Sequence, residues 1–270
     1  MNKEFKDNDF YNFYLKFQEI YEIIYPLIPK KNTCKELFGQ ILEGVIRKDF
    51  FTMQTMIVLI DQIKLDRGNL IVFSGSILDL SRRIFEDSIA MTYINLKGKA
   101  KYSKRLVDYI AVEDKTDIDF LDFNKLHVDD NYRKEVEEKY LKLSKEIKGR
   151  KNWAGLDIEG MIDFIAQKTS MPDSQKQIIL KEYLHGNRKN HVSSVEVWVQ
   201  GSSNQEVLEN IAEGDISMAL ITASQSILWV SMFFGKEKEN PKEIQDKLYD
   251  FWKKVNNGKM PNETILNGKE

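Results

Sequence analysis

The chemistry available to this chain is concentrated in two short sets of polar residues. Arg82 and Glu86 stand one helical turn apart inside LIVFSGSILDLSRRIFEDSIAMTYINL, residues 70–96, a stretch that is otherwise mostly apolar. Tyr183, Asn187 and His191 stand at i, i+4 and i+8 within YLHGNRKNH. On a helix each set shares one face. A guanidinium binds phosphate or stabilises a developing negative charge. A carboxylate one turn away orients it. An imidazole ionises near neutrality and moves protons as a general acid or base. The row Tyr183, Asn187, His191 shares its side with Leu180 and Leu184, so it faces inward and needs partners. Either these groups satisfy one another together with Arg82 and Glu86, or they line a pocket. His185 and Arg188 point away from that row.

The elements that must hold these residues are helices. With Leu80 set at zero on a 100° wheel, Phe73, Ile77, Ile84 and Met91 fall within about 60° of it. A second apolar sector, Ile71, Leu78, Phe85, Ile89, Tyr93 and Leu96, lies roughly opposite. Two apolar sectors make 70–96 a central helix with neighbours on two sides. Arg82 projects into the second sector, where a charge is costly unless paired, and Glu86 is in position to pair with it. Asp79, Arg83 and Asp87 form an i, i+4, i+8 row that reads as a solvated charged face.

Around that helix the periodicity repeats. Residues 3–28 carry an aromatic stripe, Phe10, Phe13, Tyr14, Phe17, Tyr21 and Tyr25, read as core, and Pro26 and Pro29 end it. Thr33 to Glu36 is a capping box. It opens a helix through Ile46, where Asp49 is expected to break it before a further helix, 50–63. Asp129 or Asp130 caps a charged helix to about Lys148, with a narrow apolar stripe of Val136, Tyr140 and Leu143, expected to project from the body. Asp157 caps 158–169, and Pro172-Asp173 opens the next helix. Val195 to Gln200 alternates like a strand but has no partner strand, so it reads as extended loop. Ile216 to Phe234 is an uncharged run of 19 residues. That length meets the test for a membrane span, but its serines, threonine and glutamine, and the lack of a basic flank before it, favour a buried core helix. Pro241 opens a last amphipathic helix through Trp252. The expected architecture is all-α: a bundle of about nine to eleven helices around the central one. N-terminal helices (1–68) pack on a core (69–235), followed by a C-terminal helix and polar tail (236–270), within one globular domain.

Composition narrows the function classes. Of 270 residues 42% are hydrophobic and 30% charged, with a formal net charge of −2. That balance offers no global attraction for nucleic acid or anionic lipid, though it leaves room for a local basic patch. A single cysteine excludes internal disulfides and cysteine-based zinc clusters, and fits a reducing cytoplasm. With three histidines in the chain, a multi-histidine metal site is not expected, nor is a cofactor. Neither glycine-rich phosphate loops nor the HExxH and GxSxG signatures occur. The charged N-terminus, MNKEFKDNDF, is unlike a signal peptide.

Arg82-x-x-x-Glu86 in a long apolar helix, then Trp153-x-Gly155, then Tyr183 with His191 eight residues on and Ser193 and Ser194 after it, resembles the bacterial family of domain of unknown function 5677. The resemblance covers roughly residues 40–235. Asn187 stands where that family commonly has serine. The family is similar in turn to the HEPN (higher eukaryotes and prokaryotes nucleotide-binding) helical superfamily, so the resemblance implies a HEPN-like core. Many HEPN proteins are ribonucleases of toxin and antiviral systems that use an arginine and a histidine four to six residues apart. Here only Lys189 and Asn190 separate Arg188 from His191.

Two readings follow. In one, the chain is a cytoplasmic binding or regulatory protein of a stress or phage-defence type system. It has a protein partner, or a second copy of itself, and a structural Arg82–Glu86–His191 network. In the other, it is a metal-independent HEPN-like ribonuclease or a binder of RNA or nucleotide. Arg82, Glu86 and His191 are then catalytic, and Tyr183, Asn187, Trp153 and Arg188 bind.

Overall fold

A computed structural model of the chain describes residues 9–27, 37–96, 127–146, 156–190, 205–237 and 242–255, with scattered helical positions between 109 and 122. Every regular element among the described residues is helical. There are eight α-helices and one turn of 3-10 helix, Tyr25–Leu27. The α-helices are α1 (Asp9–Ile24), α2 (Leu37–Leu65), α3 (Asn69–Asn95), α4 (Asp130–Glu146), α5 (Ile158–Thr169), α6 (Asp173–Asn190), α7 (Gln205–Glu237) and α8 (Lys242–Val255). The all-helical class is therefore as expected, with fewer described helices than the nine to eleven anticipated.

Part of that difference is physical. Asp49 does not break a helix: α2 runs unbroken through it for 29 residues. Asp lowers helix propensity by only a fraction of a kcal/mol, about 0.7 or less. Burial of Leu42, Ile46, Met53, Met56, Ile60 and Ile63 outweighs that. The turn from α2 to α3 is closed by the Asp66 side chain, whose Oδ1 accepts the Gly68 N–H at 2.9 Å. It is tied to α7 by Arg67, which reaches Glu209 at 3.2 Å and Glu213 at 2.7 Å.

The central helix is α3, and both apolar sectors expected of it are buried, with Ile77, Ile84 and Met91 on one and Leu78, Phe85 and Tyr93 on the other. Ile71 near its start is exposed. Its most extensive partner is α7, followed by α2. Both α3 and α7 bury small residues: Ser74, Ser81 and Ser88 at a spacing of seven on α3, and Ala219, Ala223 and Ser226 on α7. Small side chains let two backbones approach and interdigitate at close-packed density. The serine hydroxyls are not wasted inside the core, since Ser74 and Ser81 donate to the carbonyls of Ile71 and Leu78.

Helix α7 is long and apolar enough to cross a membrane by length and composition. In this fold it packs against α1, α2, α3 and α8, and Ile216, Leu220, Ile227, Leu228 and Val230 are fully buried by them. One apolar core runs from Phe10 on α1 to Trp252 on α8, joining the segments 1–68, 69–235 and 236–270. A separate small cluster, Ile118, Val128 and Val136, lies under α4. Helix α4 starts where Asp129 Oδ1 accepts the N–H groups of Asn131 and Tyr132, both at 3.0 Å. Helix α5 starts where Asp157 Oδ1 accepts the Gly160 N–H at 2.9 Å. It ends at Ser170, whose φ of 49° is left-handed. The short connection through Pro172 returns the chain as α6, and both α5 and α6 lie on α3. The capping box at Thr33 and the extended stretch Val195–Gln200 lie outside the described residues.

Candidate functional site

Position 82 on α3 is half-enclosed by α6. Arg82 Nε donates to Glu86 Oε1 at 2.7 Å, the i, i+4 pairing that the spacing requires. Its guanidinium carbon lies 5.8 Å from the centre of the Tyr183 ring on α6. Tyr183 is held in turn by Phe85, with ring centres 6.2 Å apart and planes 23° from parallel. One helical turn of α3 thus presents a cation, itself paired with Glu86, and an aromatic ring to one tyrosine. The side chains of Arg82 and Glu86 keep 26% and 33% of their surface exposed. The pair therefore sits on the wet edge of an interhelical seam rather than in the core.

That geometry fixes what Arg82 can do. Among the described residues only Glu86 takes one of its N–H groups. The terminal fork of the guanidinium is the part suited to a carboxylate or phosphate, which it would meet bidentately. The Tyr183 face limits its swing and adds a cation–π contribution of about 0.5–1 kcal/mol.

The structure brings together Arg82, Glu86 and Tyr183. Asn187 and Arg188 stand on α6, one turn and more beyond Tyr183, and their side chains lie outside the described set. His191 and Trp153 also lie outside the described residues. Among the described residues no three His, Cys, Asp or Glu side chains are grouped to hold a metal ion.

A second polar cluster corrects the reading of α3. Asp87 does not belong to a solvated row with Asp79 and Arg83. It is 8% exposed. Seven residues advance about 700°, about 20° short of two turns, so Asp87 lies almost beneath Leu80 in the first apolar sector. Across the hairpin stands Asp49, fully buried in the middle of α2. Burial is the main reason that the Asp49 carboxyl ionises far less readily than an ordinary one, with the neighbouring Asp87 charge second. Lys48 opposes these effects and caps the cluster, its Nζ 2.7 Å from Asp87 Oδ2. As two carboxylates, Asp49 and Asp87 have no hydrogen to share, and among the described residues Asp49 finds no donor of its own. With the proton on Asp49, it donates to Asp87, and a single negative charge remains for Lys48. The signal for this cluster was in the wheel itself, since an acidic residue two turns from Leu80 shares its side.

No protein-family model, no curated protein and no solved structure matches the chain.

Proposed function

We propose that the chain is a helical binding or regulatory protein, and that the Arg82–Glu86–Tyr183 seam chiefly locks α6 onto α3. The observation that carries this reading is the double engagement of Arg82, by Glu86 along its own helix and by the Tyr183 ring across to the next. A role as the partner-facing component of a stress or phage-defence type system comes from the resemblance described above and extends this reading.

The second reading is a HEPN-like ribonuclease or nucleotide binder with His191 as general acid or base. It draws support from the exposure that Arg82 and Glu86 retain and from the guanidinium N–H groups that no described residue takes. One experiment separates the two. Purified protein, Arg82→Ala and His191→Ala are incubated with labelled single-stranded RNA, and cleavage and retention are measured beside thermal melting. The structural reading expects no cleavage by the parent chain. It also expects Arg82→Ala to lower stability by about 0.5–1.5 kcal/mol, the sum expected of a half-exposed i, i+4 pair and an aromatic contact. RNA cleavage that disappears in both variants, with melting unchanged, overturns it in favour of the ribonuclease.

A further inference from the structure

Helix α4 is held in place by little that is apolar. Among its described side chains only Val136 is buried. Val136 meets Ile118 and Val128 in a small cluster that is separate from the main core. Every other described α-helix buries apolar residues in that core or packs them against it. At 17 residues, α4 is near the length at which a helix standing alone in water is marginal. What fastens it is chiefly polar. Arg133 donates from both terminal nitrogens to the two carboxylate oxygens of Asp122. Lys115 Nζ stands 5.9 Å from the centre of the Tyr140 ring. Lys115, Ile118 and Asp122 belong to the stretch 109–122, whose start is fixed to the bundle by Tyr109, buried in the main core. The fastening is wet, since the side chains of Arg133 and Asp122 keep 30% and 42% of their surface exposed.

We propose that α4 is a docked arm, which detaches from the stretch 109–122 and unwinds while the bundle stays folded, with ionic strength setting how often it does so. Detachment uncovers one small apolar cluster and parts one bidentate ion pair. The main core contains no residue of α4 and loses nothing by it. Segments with few buried apolar contacts open at a much lower free energy than the core does. The buried middle turns of α3 and α7, by contrast, become accessible only when the core itself opens. Salt enters through the ion pair. The screening length falls from about 30 Å at 0.01 M to about 3 Å at 1 M, so a charge pair open to water weakens over that range. A buried apolar core has no such dependence.

The test is hydrogen exchange of the full chain, followed by mass spectrometry at about 0.01 M and about 1 M KCl. Peptides from α4 are compared with peptides from α3 and α7 in the parent, in Arg133→Gln and in Val136→Asp. In the parent at low salt, α4 is expected to be protected, yet to exchange at least about 100-fold faster than α3 and α7. High salt is expected to speed α4 by a further factor of about three to five, the range of an exposed ion pair, and to leave α3 and α7 unchanged. Arg133→Gln is expected to speed α4 at low salt and to lose most of that salt response. Val136→Asp is expected to bring α4 to the rate of an unstructured peptide, with exchange in α3 and α7 and the urea midpoint of the bundle as in the parent. Protection of α4 equal to that of α3 and α7 overturns the proposal. So does unstructured-peptide exchange in the parent at low salt, since nothing then docks. A full salt response kept by Arg133→Gln, or a Val136→Asp variant that speeds all three helices alike, overturns it too.

Discussion

Replacing Asp49 by Asn tests the buried acidic pair directly. Asp49 is fully buried, and burial together with Asp87 raises its folded carboxyl above the ordinary value. The unfolded chain has an ordinary carboxyl, near about 3.9. A raised folded value means that folding takes up a proton. The stability linked to this group is fully present below the unfolded value and is lost as pH rises towards and through the folded one. Within that window the loss is at most about 1.4 kcal/mol per pH unit, the value of one proton. Asn has the same shape, stays neutral at every pH and can donate its N–H to Asp87 as the protonated acid does. Asp49→Asn should therefore be close to the parent in stability at about pH 4, where the window opens. Its advantage should then grow by up to about 1.4 kcal/mol for each pH unit above that, as far as the folded chain keeps the proton. Urea unfolding followed by circular dichroism at pH 4, 5, 6, 7 and 8 measures the difference. Two stability curves that stay parallel across this range, or an Asn variant that weakens as pH rises, would refute the reasoning. Asp49 would then be ionised in the folded chain.

Two further outcomes follow from the packing. Ala223 on α7 is fully buried, so Ala223→Leu should overpack the core and cost about 1–3 kcal/mol in urea unfolding; no loss would mean that the core is not closely packed around it. Tyr14 donates to Asp61 and accepts from Gln18, both at 2.8 Å, and burial followed by Asp61 pushes its phenol above the ordinary range. Tyr14→Phe should cost about 1–2 kcal/mol at neutral pH. It should leave the tyrosinate absorbance gained by the folded protein near pH 10 unchanged, because Tyr14 does not contribute to it; a drop in that absorbance would count against the burial.

How much could be read in advance depended on whether a residue's neighbours lay on its own helix. The pairing of Arg82 with Glu86 is a matter of spacing within one helix, and it stands at 2.7 Å. The caps at Asp129 and Asp157 are equally local. Tyr183 was placed on the inward side of its helix by its company with Leu180 and Leu184; it does face α3, while Leu184 is exposed. Failures came where a local preference met a non-local gain. Asp49 looks like a helix breaker in isolation, yet the apolar residues on either side of it bury enough surface to carry α2 straight through. Asp87 looks like one more charge in an exposed row, because a row of charges three or four apart resembles a solvated face wherever it occurs.

By itself the sequence determined the helical class, the doubly apolar character of the central helix, the Arg82–Glu86 pair and the capped starts of α4 and α5. All of these depend on contacts within a few residues, which periodicity and side-chain chemistry specify. Tertiary structure alone decided which helix covers which face. It set α7 beside α3, brought Asp49 and Asp87 together across a hairpin, and left Phe51, Val58 and Leu65 on the outside. Those outcomes turn on residues far apart in the chain competing for the same buried surface, and no spacing within one segment encodes the result of that competition.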